Sequence, residues 1–191
     1  MTGQAPVITI FGGARAAEGS DDYEQARRLG RLLAEQGFVL CNGGYSGTME
    51  AVSRGAKEAG GRTIGITVDL FGATPPNDWL DEVENTTNLL LRLDRLTLRG
   101  DAFVVLRGGV GTLLELALVW NLVLLGASAP KPIVVVGDAW RQALATLRQV
   151  LPLRDSDLAL LTPVPDVEAA VEVLLAWRER EPRAAVDALP G

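Results

Sequence analysis

The sequence predicts an α/β protein with a mostly parallel sheet of about six or seven strands and helices on both faces. Short apolar runs typical of buried strands alternate with segments of helical periodicity along the chain. Several of these runs end in a glycine-rich turn that opens the next helix. With 191 residues, 48% of them hydrophobic, the chain is long enough for one domain with a sizeable core.

The first third of the chain is interpreted as two β-loop-α units and a further strand. Ser20, followed by two aspartates, is a favourable N-cap for the first helix, and the glycine turn that ends at Gly47 opens the second. The predicted elements are a strand at residues 6–11, a helix from Ser20 to about Gln36, a strand at 38–41, a helix at 48–59 and a strand at 63–67.

The middle of the chain contains a long connection and the central strand. Residues 68–85 have turn formers and little periodicity, with one short strand predicted at about 82–86. Leucines interleaved with arginines predict a half-buried helix at 88–99. It leads into a fully apolar strand at 102–106.

The last third continues the alternation. Residues 113–125 form a nearly all-apolar helix, and we expect a second copy of the chain to cover it. We assign residues 1–181 to one domain and expect 182–191 to be a loose tail. The remaining predictions are a strand at 132–137, a helix at 139–151, a strand at 159–162 and a helix at 167–180.

The turn after the central strand is the strongest candidate for a binding site. Gly108, Gly109 and Gly111 allow a tight bend, and a helix is expected to begin at Thr112. Its first amides lack helical partners and favour an anion, most simply a phosphate. The same residues also match a capping box, in which Thr112 and Glu115 satisfy each other's amides. This turn alone does not decide between the two interpretations.

Two other strands also end in glycine turns, and parallel strands end at the same edge of the sheet. Ligands of such folds bind at that edge. The chain lacks the dinucleotide fingerprint, which needs a glycine where Leu114 stands, and has no P-loop, so we expect a mononucleotide-sized phosphate ligand. The glycines of these two turns that we assign to its binding are Gly12, Gly13, Gly43, Gly44 and Gly47.

Composition narrows the function further. A net charge of −6 argues against nucleic-acid binding, and no run is apolar enough to cross a membrane. The absence of histidine removes the usual catalytic triads and the commonest metal ligand, so we expect no metal site. The start of the chain lacks the pattern of a secretion signal and Cys41 has no disulfide partner, which together lead us to expect a cytoplasmic protein.

The motif RGGVGTLLE at residues 107–115 resembles the PGGxGTxxE signature of the LOG family, the cytokinin riboside monophosphate phosphoribohydrolases once described as lysine decarboxylases. Residues 42–56, NGGYSGTMEAVSRGA, are similar to the family's GGGxxGLMG turn and the helix after it. The family's MxxRK element corresponds to residues 89–93, with Arg92 as its arginine. The resemblance runs from about residue 6 to residue 140.

The resemblance implies a modified Rossmann fold, a homodimer and hydrolysis of the N-glycosidic bond of a nucleoside 5′-monophosphate, with no cofactor. Arg92 and Glu115 would be the catalytic pair, and Gly108, Gly109, Gly111 and Thr112 would hold the phosphate. Arg107 stands where the family has proline, and as a charge at the rim it is a further candidate phosphate contact.

Leucines at 89 and 93 also replace the family's methionine and lysine. These departures keep a second hypothesis open, a non-catalytic carrier or sensor that binds a nucleotide or molybdenum cofactor. Lysine decarboxylation is disfavoured, because Lys57 and Lys131 do not lie next to a glycine turn and could not form a Schiff base with pyridoxal phosphate there.

Overall fold

The computed structural model describes residues 5–72 and 74–187 and confirms the α/β fold with a seven-stranded, all-parallel sheet. Within these ranges no helix is long and apolar enough to span a bilayer. The strands are β1 (Val7–Phe11), β2 (Val39–Asn42), β3 (Thr63–Val68), β4 (Glu82–Thr86), β5 (Ala102–Val105), β6 (Ile133–Val136) and β7 (Leu161–Val164). They lie side by side in the order β4-β3-β2-β1-β5-β6-β7.

The helices follow the predicted alternation, and most boundaries agree with the prediction within two residues. The helices are α1 (Asp21–Glu35), α2 (Thr48–Glu58), α3 (Leu89–Arg99), α4 (Val110–Leu124), α5 (Asp138–Val150), α6 (Asp155–Leu158) and α7 (Val167–Asp187), with a 3-10 turn at Asp69–Phe71. The four-residue α6 was not predicted, because one turn is too short to show a period.

The end of α7 differs from the prediction. The helix continues to Asp187 instead of ending at residue 180, so it includes residues 182–187 of the expected loose tail. Residues 188–191 lie outside the described part of the chain. The assignment of one domain to residues 1–181 stays a prediction.

The strand order reverses between the neighbouring strands β1 and β5. After β1 the chain moves through β2 to β3 on one side, and after β5 it moves through β6 to β7 on the other. Right-handed crossovers in opposite directions place helices on opposite faces. One core cluster contains buried residues of α1, α2 and α7, and the other contains buried residues of α3, α4 and α5. The loops after β1 and β5 therefore lead to opposite faces and leave a cleft between them.

Candidate active site

A cleft of about 900 Å³ lies at the carboxyl edge of the sheet, where β1 and β5 are neighbours. Loops after β1, β2, β3 and β5 and the first turns of α3 and α4 form its walls. Nine of the twelve residues proposed from sequence line it: Gly12, Gly13, Arg92, Arg107, Gly108, Gly109, Gly111, Thr112 and Glu115.

The other three, Gly43, Gly44 and Gly47, lie in the loop after β2 and support the cleft instead of lining it. Gly44 and Gly47 have positive φ angles of 81° and 71°, which favour glycine. A Cβ on Gly47 would overlap the Gly13 carbonyl, so the loops after β1 and β2 could not approach as closely with any other residue there.

The start of α4 is two residues earlier than predicted. Gly109 is the N-cap and Val110 the first helical residue, so Thr112 lies inside the helix, where it is buried. Thr112 therefore cannot be the N-cap of a capping box, and that interpretation is wrong. The helix begins directly after the Gly108-Gly109 turn. Gly109 adopts the extended N-cap conformation, and no side chain caps the helix.

The first residues of α4, Val110 to Thr112, line the cleft. The Leu113 amide donates the first helical hydrogen bond, to the Gly109 carbonyl at 3.0 Å, so the amides before it have no helical partner. A Cβ added at Gly109 or Gly111 would meet no atom within 4 Å, which means that both positions face free space. This arrangement leaves room for a small anion against main-chain donors at the positive end of the helix.

Two contacts hold the α4 turn in place. The Gly13 amide donates to the Arg107 carbonyl at 3.2 Å, which joins the loops after β1 and β5. The buried Trp140 indole donates from Nε1 to the Leu106 carbonyl at 3.0 Å. The turn before α4 is therefore held by the loop after β1 and by α5.

Arg92 lies in the first turn of α3 and is only 6% exposed. Its Nε donates to the Ile66 carbonyl at 2.8 Å and its Nη2 to the Gly43 carbonyl at 3.1 Å. A Cβ on Gly43 would overlap the guanidinium, so a larger residue there would displace Arg92 from this position. The guanidinium carbon also lies 5.8 Å from the centre of the Tyr45 ring and 5.9 Å from that of Phe71, within the range of cation–π attraction.

Glu115 lies one helical turn beyond the open amides of α4 and faces Arg92. The distance from Nη1 of Arg92 to Oε1 of Glu115 is 3.6 Å, an ion pair rather than a hydrogen bond. Burial raises the pKa of the Glu115 carboxyl to about 7, and the charge of Arg92 opposes this rise only in part. Glu115 is therefore poised to exchange a proton near neutral pH, as a general acid or base requires.

Two of the departures from the LOG motif, Arg107 and Leu93, leave the cleft open. The Arg107 side chain is 70% exposed and lies at the rim, where its Nη1 is 3.4 Å from the Asp22 carboxylate. It does not fill the cleft. Leu93 is buried and does not belong to the cleft lining, so the leucine is accommodated in the core beside Arg92.

Several cleft residues were missed by the sequence analysis. Arg15, Tyr45 and Ser46 line the cleft and stand within or directly after the glycine turns, so their position was a usable signal. Phe71 also lines it but lies in the aperiodic connection after β3, where no pattern identified it. Within residues 5–72 and 74–187, no group of three or more Cys, Asp or Glu side chains could hold a metal ion.

These features define a class: a parallel α/β protein with a Rossmann-like sheet and a ligand-sized cleft at the switch point of the strand order. The chain belongs to the SLOG cluster4 family, whose model matches residues 5–149. This match confirms the resemblance to the LOG family.

Characterised relatives fall into two groups. The chain is 38% identical over 119 residues to the cytokinin riboside 5′-monophosphate phosphoribohydrolase of Mycobacterium tuberculosis, covering 61% of this chain and 63% of that protein. It is 30% identical over 122 residues to the pyrimidine/purine nucleotide 5′-monophosphate nucleosidase of Escherichia coli, covering 60% of this chain and 27% of that protein. The matched segments thus span less than two thirds of both enzymes.

Among solved structures, the molybdenum cofactor binding protein of Rippkaea orientalis is similar over nearly its whole length. It has a TM-score of 0.74 and 26% identity, and the match covers 92% of this chain and 98% of that one. The fold is therefore common to hydrolases and to a cofactor-binding protein.

The ion pair makes a testable electrostatic prediction. Because the charge of Arg92 lowers the pKa of Glu115, replacing Arg92 by Gln should raise that pKa above its value of about 7. A titration of the Glu115 carboxyl carbon by NMR measures this directly. Arg107→Gln is the control and should leave the pKa unchanged, since its side chain lies at the rim beside Asp22. A fall in the pKa of Glu115 in Arg92→Gln would contradict the assignment.

Proposed function

We propose that the protein is a nucleoside 5′-monophosphate phosphoribohydrolase, which cleaves the N-glycosidic bond to give the free base and ribose 5-phosphate. The observation that carries the proposal is the buried Arg92–Glu115 pair, at 3.6 Å, one helical turn from open main-chain amides in the same cleft. The hydrolase names of the relatives at 30–38% identity support it.

The geometry suits this reaction. The phosphate binds at the amides of Val110, Gly111 and Thr112, which directs the ribose towards Glu115 on the same helix. As the bond from C1′ to the base nitrogen breaks, positive charge develops on the ribose and the Glu115 carboxylate stabilises it. Water then bonds to C1′ and gives a proton to Glu115, while the departing base takes a proton from solvent in the open cleft.

Arg92 acts on the same step through its charge and its fixed position. Two of its nitrogens are occupied by main-chain carbonyls, so the guanidinium cannot turn away from the cleft. It orients Glu115 and maintains a larger ionised fraction of that carboxylate near neutral pH. Nη1 is also available to polarise the departing base.

A second candidate is a carrier that binds a phosphate-bearing cofactor without cleaving it. The observation that favours it is the similarity to the molybdenum cofactor binding protein over 98% of that chain's length, whereas the match to the phosphoribohydrolase covers 63% of that enzyme. The same amides would hold the phosphate of such a cofactor. The hydrolase candidate requires Glu115 to act on C1′, and the carrier candidate does not.

Incubation with a panel of nucleoside 5′-monophosphates distinguishes them. We expect the wild type to release a free base, detected by chromatography, and Glu115→Gln to lose about 100-fold or more of that rate because it lacks the carboxylate. Binding of the nucleotide should persist in Glu115→Gln, since the amides are unchanged. Nucleotide binding without any base release by the wild type would select the carrier instead.

We also propose that the chain forms a homodimer through α4. This helix leaves several large apolar side chains exposed to solvent. Val110 is 84% exposed, Leu113 48% and Leu114 43%, and Leu125, directly after the helix, is 72% exposed. An apolar face of this kind typically marks an interface, and the simplest partner is a second copy.

A charged substitution on that face should give a monomer. We expect the wild type to sediment as a dimer at micromolar concentration, and Leu114→Asp to sediment as a monomer because a buried carboxylate is costly at an apolar interface. Val83→Asp is the matched control, since Val83 is 46% exposed but lies on β4, the edge strand at the end of the sheet away from α4. A monomeric wild type would refute the proposal.

A further inference from the structure

Phe71 is a large apolar side chain that remains 46% exposed in the wall of the cleft. The ring of Tyr45 packs against Phe71. The two ring centres are 5.3 Å apart, and the ring planes are at 74° to each other. This edge-to-face contact is a favourable arrangement for two aromatic rings. It leaves part of the Phe71 ring open towards the cleft.

Hydrogen bonds support the residues beneath and beside Phe71. Tyr45 is only 6% exposed, and its hydroxyl accepts a hydrogen bond from the Val68 amide at 2.8 Å and donates one to the Val68 carbonyl at 3.1 Å. The 3-10 turn that carries Phe71 is held by Asp69, whose carboxylate accepts from the Asn85 side chain at 2.6 Å. The ring is therefore supported by Tyr45 on one side and by the hydrogen-bonded 3-10 turn that carries it.

The ring also lies close to the proposed site of cleavage. Its centre is 5.9 Å from the guanidinium carbon of Arg92, and Nη1 of Arg92 is 3.6 Å from Oε1 of Glu115. If the ribose C1′ faces Glu115, as the proposed function requires, the base attached to C1′ begins beside this pair. A flat base that extends from C1′ along the cleft wall reaches Phe71.

We propose that Phe71 is a specificity residue on which the base of the nucleotide stacks, so that the site selects purine over pyrimidine monophosphates. This inference rests on the proposed nucleotide-binding function and adds the part of the ligand that the amides of α4 do not recognise. Purines are favoured because their two fused rings cover more of the Phe71 face. The binding of ribose 5-phosphate, which has no base, should not depend on Phe71.

The competing role for Phe71 is to shield the Arg92–Glu115 pair from water. A shield would affect every ligand of the site alike, whereas a stacking surface affects only ligands with a base. Comparison of AMP, CMP and ribose 5-phosphate therefore separates the two roles. Binding is best measured by calorimetry in the Glu115→Gln background, in which the nucleotide is not consumed.

We expect Phe71→Ala to weaken AMP binding by about tenfold, the size typical of the loss of one stacked base. CMP should lose less, and ribose 5-phosphate should be unaffected. Phe71→Leu, which keeps apolar bulk without the flat ring, should behave like Phe71→Ala, and Phe71→Tyr should restore AMP binding. Leu70→Ala is the control, because Leu70 is 65% exposed on the same turn but does not line the cleft.

Two results would overturn the inference. Equal weakening of AMP and ribose 5-phosphate by Phe71→Ala would assign Phe71 to shielding, and unchanged AMP binding would remove it from the ligand site. Base release by the wild type tests the proposed function separately, so that release combined with a neutral Phe71→Ala would reject only the stacking role. If neither AMP nor ribose 5-phosphate binds a protein with Phe71 intact, both proposals are rejected.

Discussion

The buried charge of Arg92 is the constraint on which the site depends. A guanidinium removed from water is costly unless its donors and its charge are satisfied. Here the Ile66 carbonyl from β3, the Gly43 carbonyl from the loop after β2 and the Glu115 carboxylate from α4 share that task. Because each partner comes from a different element, Arg92 joins three parts of the sheet edge and pairs with Glu115 there.

The position of Glu115 in turn connects the two halves of the cleft. Its helix presents open amides at the start and the carboxylate one turn later, so the distance between an anion site and an acid is set by helix geometry. Strand order places this helix start beside the loop after β1. A phosphorylated sugar that spans the two sites is the ligand class that this spacing favours. The hydrolase and carrier candidates both use the anion site and differ in the use made of the carboxylate.

Much of the fold could be predicted because its signals are local. Buried strands, helix periods and glycine turns are each visible within a few residues, and even the edge strand at residues 82–86 was found. The alternation of strands and helices predicted a parallel sheet, and in such a sheet Gly12, Gly108 and Glu115 lie at the same edge. This prediction did not depend on knowing any contact between them. The start of α4 was misjudged because Thr112 resembles an N-cap, whereas the glycine turn already supplies that conformation.

What the sequence could not provide is contacts between distant residues. Arg92 is held by carbonyls that lie 26 and 49 positions away, and main-chain acceptors leave no mark in the residue pattern. Gly43 was assigned to the ligand, but in the structure its lack of a Cβ makes room for Arg92. Phe71 was hidden in an aperiodic connection because its place in the cleft depends on Tyr45, from which α2 and β3 separate it along the chain.

The most direct test of the central claim is a crystal structure of Glu115→Gln with AMP bound. The account predicts phosphate oxygens within hydrogen-bond distance of the amides of Val110, Gly111 and Thr112, with C1′ facing residue 115. A phosphate bound elsewhere, or amides of α4 covered by side chains so that no ligand enters, would contradict it.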